Sequence, residues 1–334
     1  VNSIRIYDDV KRSAEVSLSM SGGNKGHKPE QRNRDKLKEA APAQGKPAAA
    51  EGPPTTLTVF INPYSAQVLE AYNPREGFFY KVMALHRWLL GSNSGPGKYI
   101  TGISTFIFLF ILITGLTLWW PKSRAIVAQR IKLKWDGGWK RLNHDLHIVF
   151  GFYSFIFLFI FAFTALAWSF EWFNKGIYKV AGSSMKPPEP PKSVMKQGSE
   201  KAGLNTIYEA AKAENNNTVF MNIVLPKDSS SAVTVTSLSR EAVHETATDA
   251  LYFDQYSGAM LGHLYYGERN LGARIRAGFR PVHVGSIWGM PSKILAVIVC
   301  LFGASFPITG TIMWLNRTRK KKKPMVLKSE QIVS

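Results

Sequence analysis

Three stretches of the chain carry no charged residue: 99–120 (YITGISTFIFLFILITGLTLWW), 148–170 (IVFGFYSFIFLFIFAFTALAWSF) and 294–315 (ILAVIVCLFGASFPITGTIMWL). A helix needs about 20 mostly apolar residues to cross a bilayer core, so this pattern predicts three transmembrane helices. The middle stretch alternates Phe155, Phe157, Phe159, Phe161 and Phe163, as a strand would. It exceeds the roughly 9–11 residues of a barrel strand and holds no turn residues, so a helix is expected. Pro307 lies inside the last stretch and predicts a kink there.

Outside these stretches the period shortens to two. SIRIYDD, AEVSLSM and TLTVFINPY read as strands in the first part of the chain. Farther on, TIYEAAKA reads as a short helix, and VFMNIVLP, AVTVTSLS and DALYFDQY as strands parted by turn residues. Residues 20–56 are rich in Gly, Pro, Ala and charge; they cannot bury a core and read as a disordered insertion. VFINPYSAQVLEAY (59–72) and LYFDQYSGAMLGHL (251–264) share a plan. Each has an aromatic-containing strand, a Tyr-Ser-Ala/Gly turn and a second strand from Val68 or Met260, which marks an internal repeat of a small α+β module.

The net charge of +19 changes the picture through its placement. Lys122, Arg124, Arg130, Lys132, Lys134, Lys140 and Arg141 crowd the connection 121–147, and Arg317, Arg319 and Lys320 to Lys323 follow the last apolar stretch. The positive-inside rule makes both regions cytoplasmic and places the segment 173–290, and everything before residue 99, outside. Because the basic clusters abut membrane spans, topology and anionic lipid explain them rather than nucleic acid. Three spans put the termini on opposite sides, and no apolar segment precedes residue 99 of a chain that begins with Val. An upstream span is therefore expected to be missing from this sequence. Cys300 is the sole cysteine, so the external parts have no disulfide framework, and it reads as a packing residue.

The apolar stretches repeat as well. LHRWLLGSNSGPGKYI (85–100) leads into the first and VHVGSIWGMPSKIL (282–295) into the third; LHIVFG (146–151) opens the second. Thr114-Gly115-x-x-x-Trp119 and Thr309-Gly310-x-x-x-Trp314 match near the far ends, with Thr164-Ala165-x-x-Trp168 as a looser copy. Histidine thus stands at the mouth of each helix, where ionisable groups are functional candidates. Haem iron takes axial ligands from opposite sides, so facing helices must each offer one imidazole. His86 and His283 meet that condition near the outer face. His144 and His147 are three apart on one helix face and cannot grip one iron from both sides; an inner site needs a histidine from another helix. His147 reads as the ligand there, and His144 as its hydrogen-bond partner or an alternative. Arg87, Lys98, Arg280 and Lys293 border the outer site as contacts for haem propionates or an anionic iron chelate, or as interfacial anchors. His27 falls in the insertion, while His244 and His263 read as surface residues of the outer module.

The order LH86RWLL, GKYITGI, TGLTLWWP, LNHDLH147, PVH283VG and TGTIMW, with NPYSAQVL and DQYSGAML, resembles the PepSY-associated transmembrane proteins. The likeness covers nearly the whole chain apart from the insertion and the Lys-rich tail. It implies a mainly α membrane protein: a transmembrane helical bundle with three spans here and four in the family, carrying small α+β PepSY-like periplasmic modules. The expected domains are a partial module at 1–78; a unit at 79–172 with the His-bearing lead-in helix, two spans and the basic loop; a module at 173–275; a His-bearing lead-in and span at 276–318; and a basic tail at 319–334. Some relatives are inner-membrane haem proteins that reduce ferric siderophores, and others carry a fused flavin reductase domain, which does not follow the last span here. The resemblance therefore implies a b-type haem protein of the bacterial inner membrane with a cytoplasmic C-terminus. It would take electrons from a separate cytoplasmic or quinol donor and pass them to a periplasmic acceptor, a ferric siderophore. Haem b would occupy an outer site, and an inner one would need the missing span. Two other readings stay open: a non-catalytic PepSY sensor or inhibitor module anchored in the membrane, and a quinol-linked cytochrome.

Overall fold

The computed structural model describes residues 1–20, 55–121, 123–195 and 200–318. Most of the expected insertion, His27, Lys122 and the basic tail lie outside the described residues. The chain forms two compact units, one of Val1–Ser92 with Ser183–Arg274 and the other of Asn93–Gly182 with Ile275–Ser334.

The first unit is built on alternation. β1 (Ser3–Tyr7), β2 (Ala14–Met20), β3 (Thr55–Ile61) and β4 (Val68–Tyr72) form one antiparallel meander, and β5 (Thr218–Val224), β6 (Val233–Ser239), β7 (Asp249–Phe253) and β8 (Met260–Leu264) form another. The two join through antiparallel pairing of β1 with β5, Ile4 opposite Ile223 and Ile6 opposite Met221. The result is a single eight-stranded sheet in the order β4-β3-β2-β1-β5-β6-β7-β8. Strands from two segments far apart in the sequence thus share one sheet. Expecting a mainly helical protein holds only in part, because pairing through β1 and β5 joins short strands into one large sheet.

α1 (Phe78–Trp88) follows the first meander, and α6 (Leu204–Glu214) precedes the second. α6 buries Ile207 and Ala211 against Met221, Ile223, Val233, Val235, Leu251 and Phe253, each at most 3% exposed. Spacing at i and i+4 puts both helix residues on one face, and period two puts every strand residue on the face they meet. This is the core of the unit.

The repeated hairpins adopt one geometry. In the β3–β4 turn, Asn62 Oδ1 accepts hydrogen bonds from the amides of Tyr64 (2.9 Å) and Ser65 (3.3 Å). In the β7–β8 turn, Asp254 Oδ1 accepts them from Tyr256 (2.9 Å) and Ser257 (2.8 Å). Such Asx turns let a short side chain replace a backbone acceptor. Both turns close through a left-handed residue, Ala66 at φ 56° and Gly258 at φ 72°, and both hairpins carry a register shift beside the turn. Asp254 is buried and also accepts from the Val194 amide at 3.2 Å.

The second unit holds three helices long and apolar enough to cross a membrane: α2 (Pro96–Trp119), α4 (Gly138–Ser169) and α8 (Met290–Thr318). α3 (Arg124–Arg130) and α5 (Glu171–Val180) flank α4, and α7 (Leu271–His283) leads toward α8. α4 packs against both α2 and α8. As a helix, the alternating phenylalanines separate onto different faces; Phe155, Phe159 and Phe163 recur every fourth residue, with neighbouring ring centroids 6.0 and 6.1 Å apart. Leu109 of α2 meets Ala162 and Leu166 of α4. On the other side Phe150 stacks on Phe302 of α8 at 4.2 Å. α8 runs through Pro307 without interruption. Gly285, at φ +71°, turns the chain between α7 and α8, where a Cβ would come within 2.6 Å of Ala296.

Backbone hydrogen bonds to the Asp254 carboxylate hold its pKa below the ordinary carboxylate value. A depressed folded pKa contributes stability that is present above the unfolded value of about 3.9 and is lost as pH falls through the folded one. Thermal unfolding of the full chain in detergent should therefore show the sheet unit weakening below about pH 4. Asp254→Ala should cost about 1–3 kcal/mol near neutral pH and flatten that acid dependence; an unchanged acid limb would assign it to other carboxylates.

Candidate functional site

The histidines expected at the helix mouths divide between the units. His86 lies on the last turn of α1, in the sheet-bearing unit, with Arg87 beside it and the guanidinium 4.7 Å from the Trp88 ring centroid. His144, His147 and His283 belong to the helical unit, the first two on α4 and the third closing α7.

His283 is held by α4. Its Nδ1 lies 3.0 Å from the Phe161 carbonyl oxygen and 3.1 Å from Thr164 Oγ1. The Thr164 hydroxyl donates its own hydrogen to the Ile160 carbonyl at 2.8 Å, so it receives rather than gives toward the imidazole. A carbonyl only accepts, so Nδ1 carries the proton and Nε2 the lone pair. The ring also stands edge-on to Trp168 at 5.3 Å, and Arg276 covers that indole at 4.7 Å while donating to Asn174 Oδ1 at 2.8 Å.

His147 repeats the arrangement in the opposite direction, from α4 to α8. Its Nδ1 lies 2.8 Å from Thr309 Oγ1, whose hydroxyl donates to the Ser305 carbonyl at 3.0 Å. Here Nδ1 meets a hydroxyl and no carbonyl, and a hydroxyl serves either tautomer of the ring. The next residue, Gly310, lets the ring lie close to the helix backbone: a Cβ there would stand 3.3 Å from His147 Cε1. Asn143, one turn before His147 and 1% exposed, donates from Nδ2 to the Thr309 carbonyl at 3.1 Å. α4 therefore grips Thr309 at both its hydroxyl and its carbonyl.

Two of the recurring pairs, Thr164-Ala165 and Thr309-Gly310, thus receive a histidine from a neighbouring helix. In the third copy, Thr114 of α2 donates to the Phe110 and Ile111 carbonyls, and no described histidine reaches it. A Cβ on Gly115 would meet nothing within 4 Å.

His144 is placed differently. Its Nδ1 lies 3.2 Å from Asp145 Oδ1, with the side chain 49% exposed. Asp145 is buried, and Arg141 Nε at 2.8 Å and the Lys134 amide at 3.3 Å complete its partners. Lys98 and Lys293 lie in the first turns of α2 and α8, and Arg280 in the last turn of α7. In the sheet unit, His244 is half-buried and hydrogen-bonds the Tyr266 hydroxyl at 3.1 Å, and burial lowers its pKa. His263 stacks on Tyr265 at 4.3 Å.

Sequence reasoning left Asn143, Asp145 and the two threonine hydroxyls without roles. The spacing of Asn143 and His147 at i and i+4 was the available signal, since it puts both on one face of α4. Among the described residues no cluster of three or more His, Cys, Asp or Glu could hold a metal ion. What the unit offers at His147 and His283 is single imidazoles, each held at Nδ1 by a neighbouring helix, with the lone pair of His283 on Nε2. That donor chemistry fits haem, whose porphyrin supplies the other iron ligands.

The comparisons agree with this architecture. The chain matches the PepSY-associated TM region over residues 10–317 and belongs to that family of membrane proteins. A search of curated proteins finds no significant match.

Because Asn143 is enclosed, Asn143→Ala should lower the unfolding free energy in detergent by about 1–3 kcal/mol through the unpaired groups it leaves. His144→Ala, at an exposed site whose carboxylate keeps Arg141, should stay within about 0.5 kcal/mol. Equal losses would show that α4 and α8 are not joined through Thr309.

Proposed function

We propose that this protein is a b-type haem protein of the bacterial inner membrane that passes electrons outward to a periplasmic acceptor, a ferric siderophore. The observation that carries this reading is the pair of histidines, His147 and His283, each tied at Nδ1 to a threonine of a neighbouring helix, with the Phe161 carbonyl fixing the His283 proton on Nδ1 and its lone pair on Nε2. An interfacial anchor has no need of a fixed tautomer. A ligand does, since the second-shell bond sets ring orientation and basicity.

In this reading His283 is a ligand of an outer haem and His147 of an inner one, each with a second histidine from another helix. Haem supplies one-electron chemistry, while the protein sets ligation, burial and access. Thr164 and the Phe161 carbonyl keep the His283 ring turned toward its ligand position, and Thr309 does the same for His147. Trp168, beneath Arg276, closes one side of the His283 ring against water. Arg87, Lys98, Arg280 and Lys293 supply positive charge for propionates or for an anionic chelate. The basic connection before α4 and the Lys-rich tail are cytoplasmic, and the sheet-bearing unit is periplasmic. A cytoplasmic or quinol donor provides the electrons.

An absorbance spectrum of the purified protein tests the proposal directly. A Soret band should be present, and His283→Ala should remove or shift it while His244→Ala and His263→Ala leave it unchanged. Without a Soret band under haem-replete expression, the membrane-anchored sensor or inhibitor reading takes its place. Orientation has its own test: a C-terminal reporter active only in the cytoplasm should be active, and one inserted near residue 230 should report export. The reverse pattern would end the outward direction of electron flow.

A further inference from the structure

The two halves of the sheet are related by repeat but not by cover. The face that α6 covers on β5, β6 and β7 continues across β1 into the first meander, as the registers require: Ile223 lies opposite Ile4, Ile4 opposite Val16, and Val16 opposite Val59. On that face stand Ile4, Ile6, Val16, Leu18, Leu57, Val59 and Ile61, all apolar. The reverse face is mixed, carrying Ser3, Arg5, Glu15, Ser17 and Thr58 beside the aromatic Tyr7 and Phe60, with Arg5 and Glu15 paired at 3.6 Å. A sheet side this uniformly apolar belongs against another layer. The second meander has one, and the six strand residues that α6 packs on are at most 3% exposed. None of the corresponding residues of the first meander reaches that burial; each remains half-buried. The surface is continuous with an established interface, since Ile6 already packs at the margin of the α6 core.

The same unit also carries a helix with an apolar stripe left open. α1 has the same length as α6, 11 residues. Phe78, Val82 and Leu85 recur at i, i+4 and i+7, which puts them on one face, yet they are 71%, 48% and 50% exposed. Phe79 beside them is 83% exposed. Residues 21–54 have Leu37 as their one large aliphatic residue and so cannot supply such a stripe.

We propose that the protein forms a two-fold dimer in which α1 of each copy lies on the first meander of the other, in the place that α6 takes on the second. One molecule thus provides both an open helix stripe and an open sheet face, and a two-fold axis satisfies both at once. Val59 and Val82 mark the two surfaces.

Cys300 is the only cysteine, so Cys300→Ser gives a cysteine-free background for the test. In that background, the full chain carrying Val59→Cys and Val82→Cys should oxidise to a disulfide-linked dimer on a denaturing gel. Thr58→Cys with Val82→Cys, which moves the sheet cysteine to the reverse face, should not. Independently, the unmodified chain in mild detergent should sediment as a dimer, and Val59→Asp should weaken it about tenfold or more. Val82→Asp changes an exposed helix position and cannot disturb the sheet, so it should weaken the dimer equally even where Val59→Asp fails to fold. A monomer at all concentrations, a crosslink confined to one chain, or a dimer indifferent to Val82→Asp would each overturn the proposal. So would a spin label at Val82 that reports lipid contact in vesicles, because the stripe would then belong to the bilayer surface.

Discussion

In the helical unit the controlling constraint is that a polar side chain within a largely apolar bundle must find its partner inside the protein. His147 and His283 meet it by reaching the threonine of the neighbouring helix, whose hydroxyl also lies within hydrogen-bond distance of a carbonyl of its own helix. Much of the unit follows from these contacts. They fix the register of α4 against α8, with Thr309 held twice from α4, by Asn143 and by His147. They also require small residues nearby, and Gly310 provides room where the imidazole lies. Apolar contacts such as Phe150 on Phe302 then fill the interval without having to specify it.

The sheet unit obeys a different economy. Its strands gain their partners by hydrogen bonding along the ladder, and its turns by Asx side chains that stand in for backbone acceptors. Repeating this plan in both meanders gives nearly the same hairpin at each end of the sheet. The copies have nonetheless diverged at the turn: Gly258 takes the left-handed position without strain, whereas Ala66 holds the same conformation with a Cβ. Burial differs too. Asp254 sits enclosed and reaches Val194, while its counterpart Asn62 serves an exposed turn.

Much of this was legible in the chain. Charge-free stretches gave the three long helices, and period-two runs such as SIRIY, AEVSLSM and VTVTSLS gave strands close to their observed bounds. NPYSAQ and DQYSGA announced matching turns because Asn, Asp and Gly carry specific turn chemistry. The ends of α4 were less visible, since GWKRLNHD is too polar to read as part of a span although it continues the same helix. Pairing between β1 and β5 was invisible, because alternation determines which face a residue takes and not which strand lies beside it. The histidines stood out by repetition. Their threonine partners did not, as a hydroxyl in an apolar helix reads equally well as one bonded to its own backbone, and Thr164 and Thr309 do that as well.

The junction at the centre of the sheet bears on how the protein is made. Ser3 pairs with Val224, and between them the chain runs through α2 and α4. The first meander can form its hairpins as soon as it emerges, but the edge of β1 must wait unpaired until β5 is synthesised and delivered to the same side of the membrane. Contacts so distant in sequence form slowly, because loop closure precedes any gain from pairing. An open strand edge beside an apolar face is also what chaperones and misassembly compete for. Completion of the sheet is therefore a checkpoint on insertion: a chain whose helices α2 and α4 fail to cross as a pair leaves β1 and β5 on opposite sides, and cannot close its sheet.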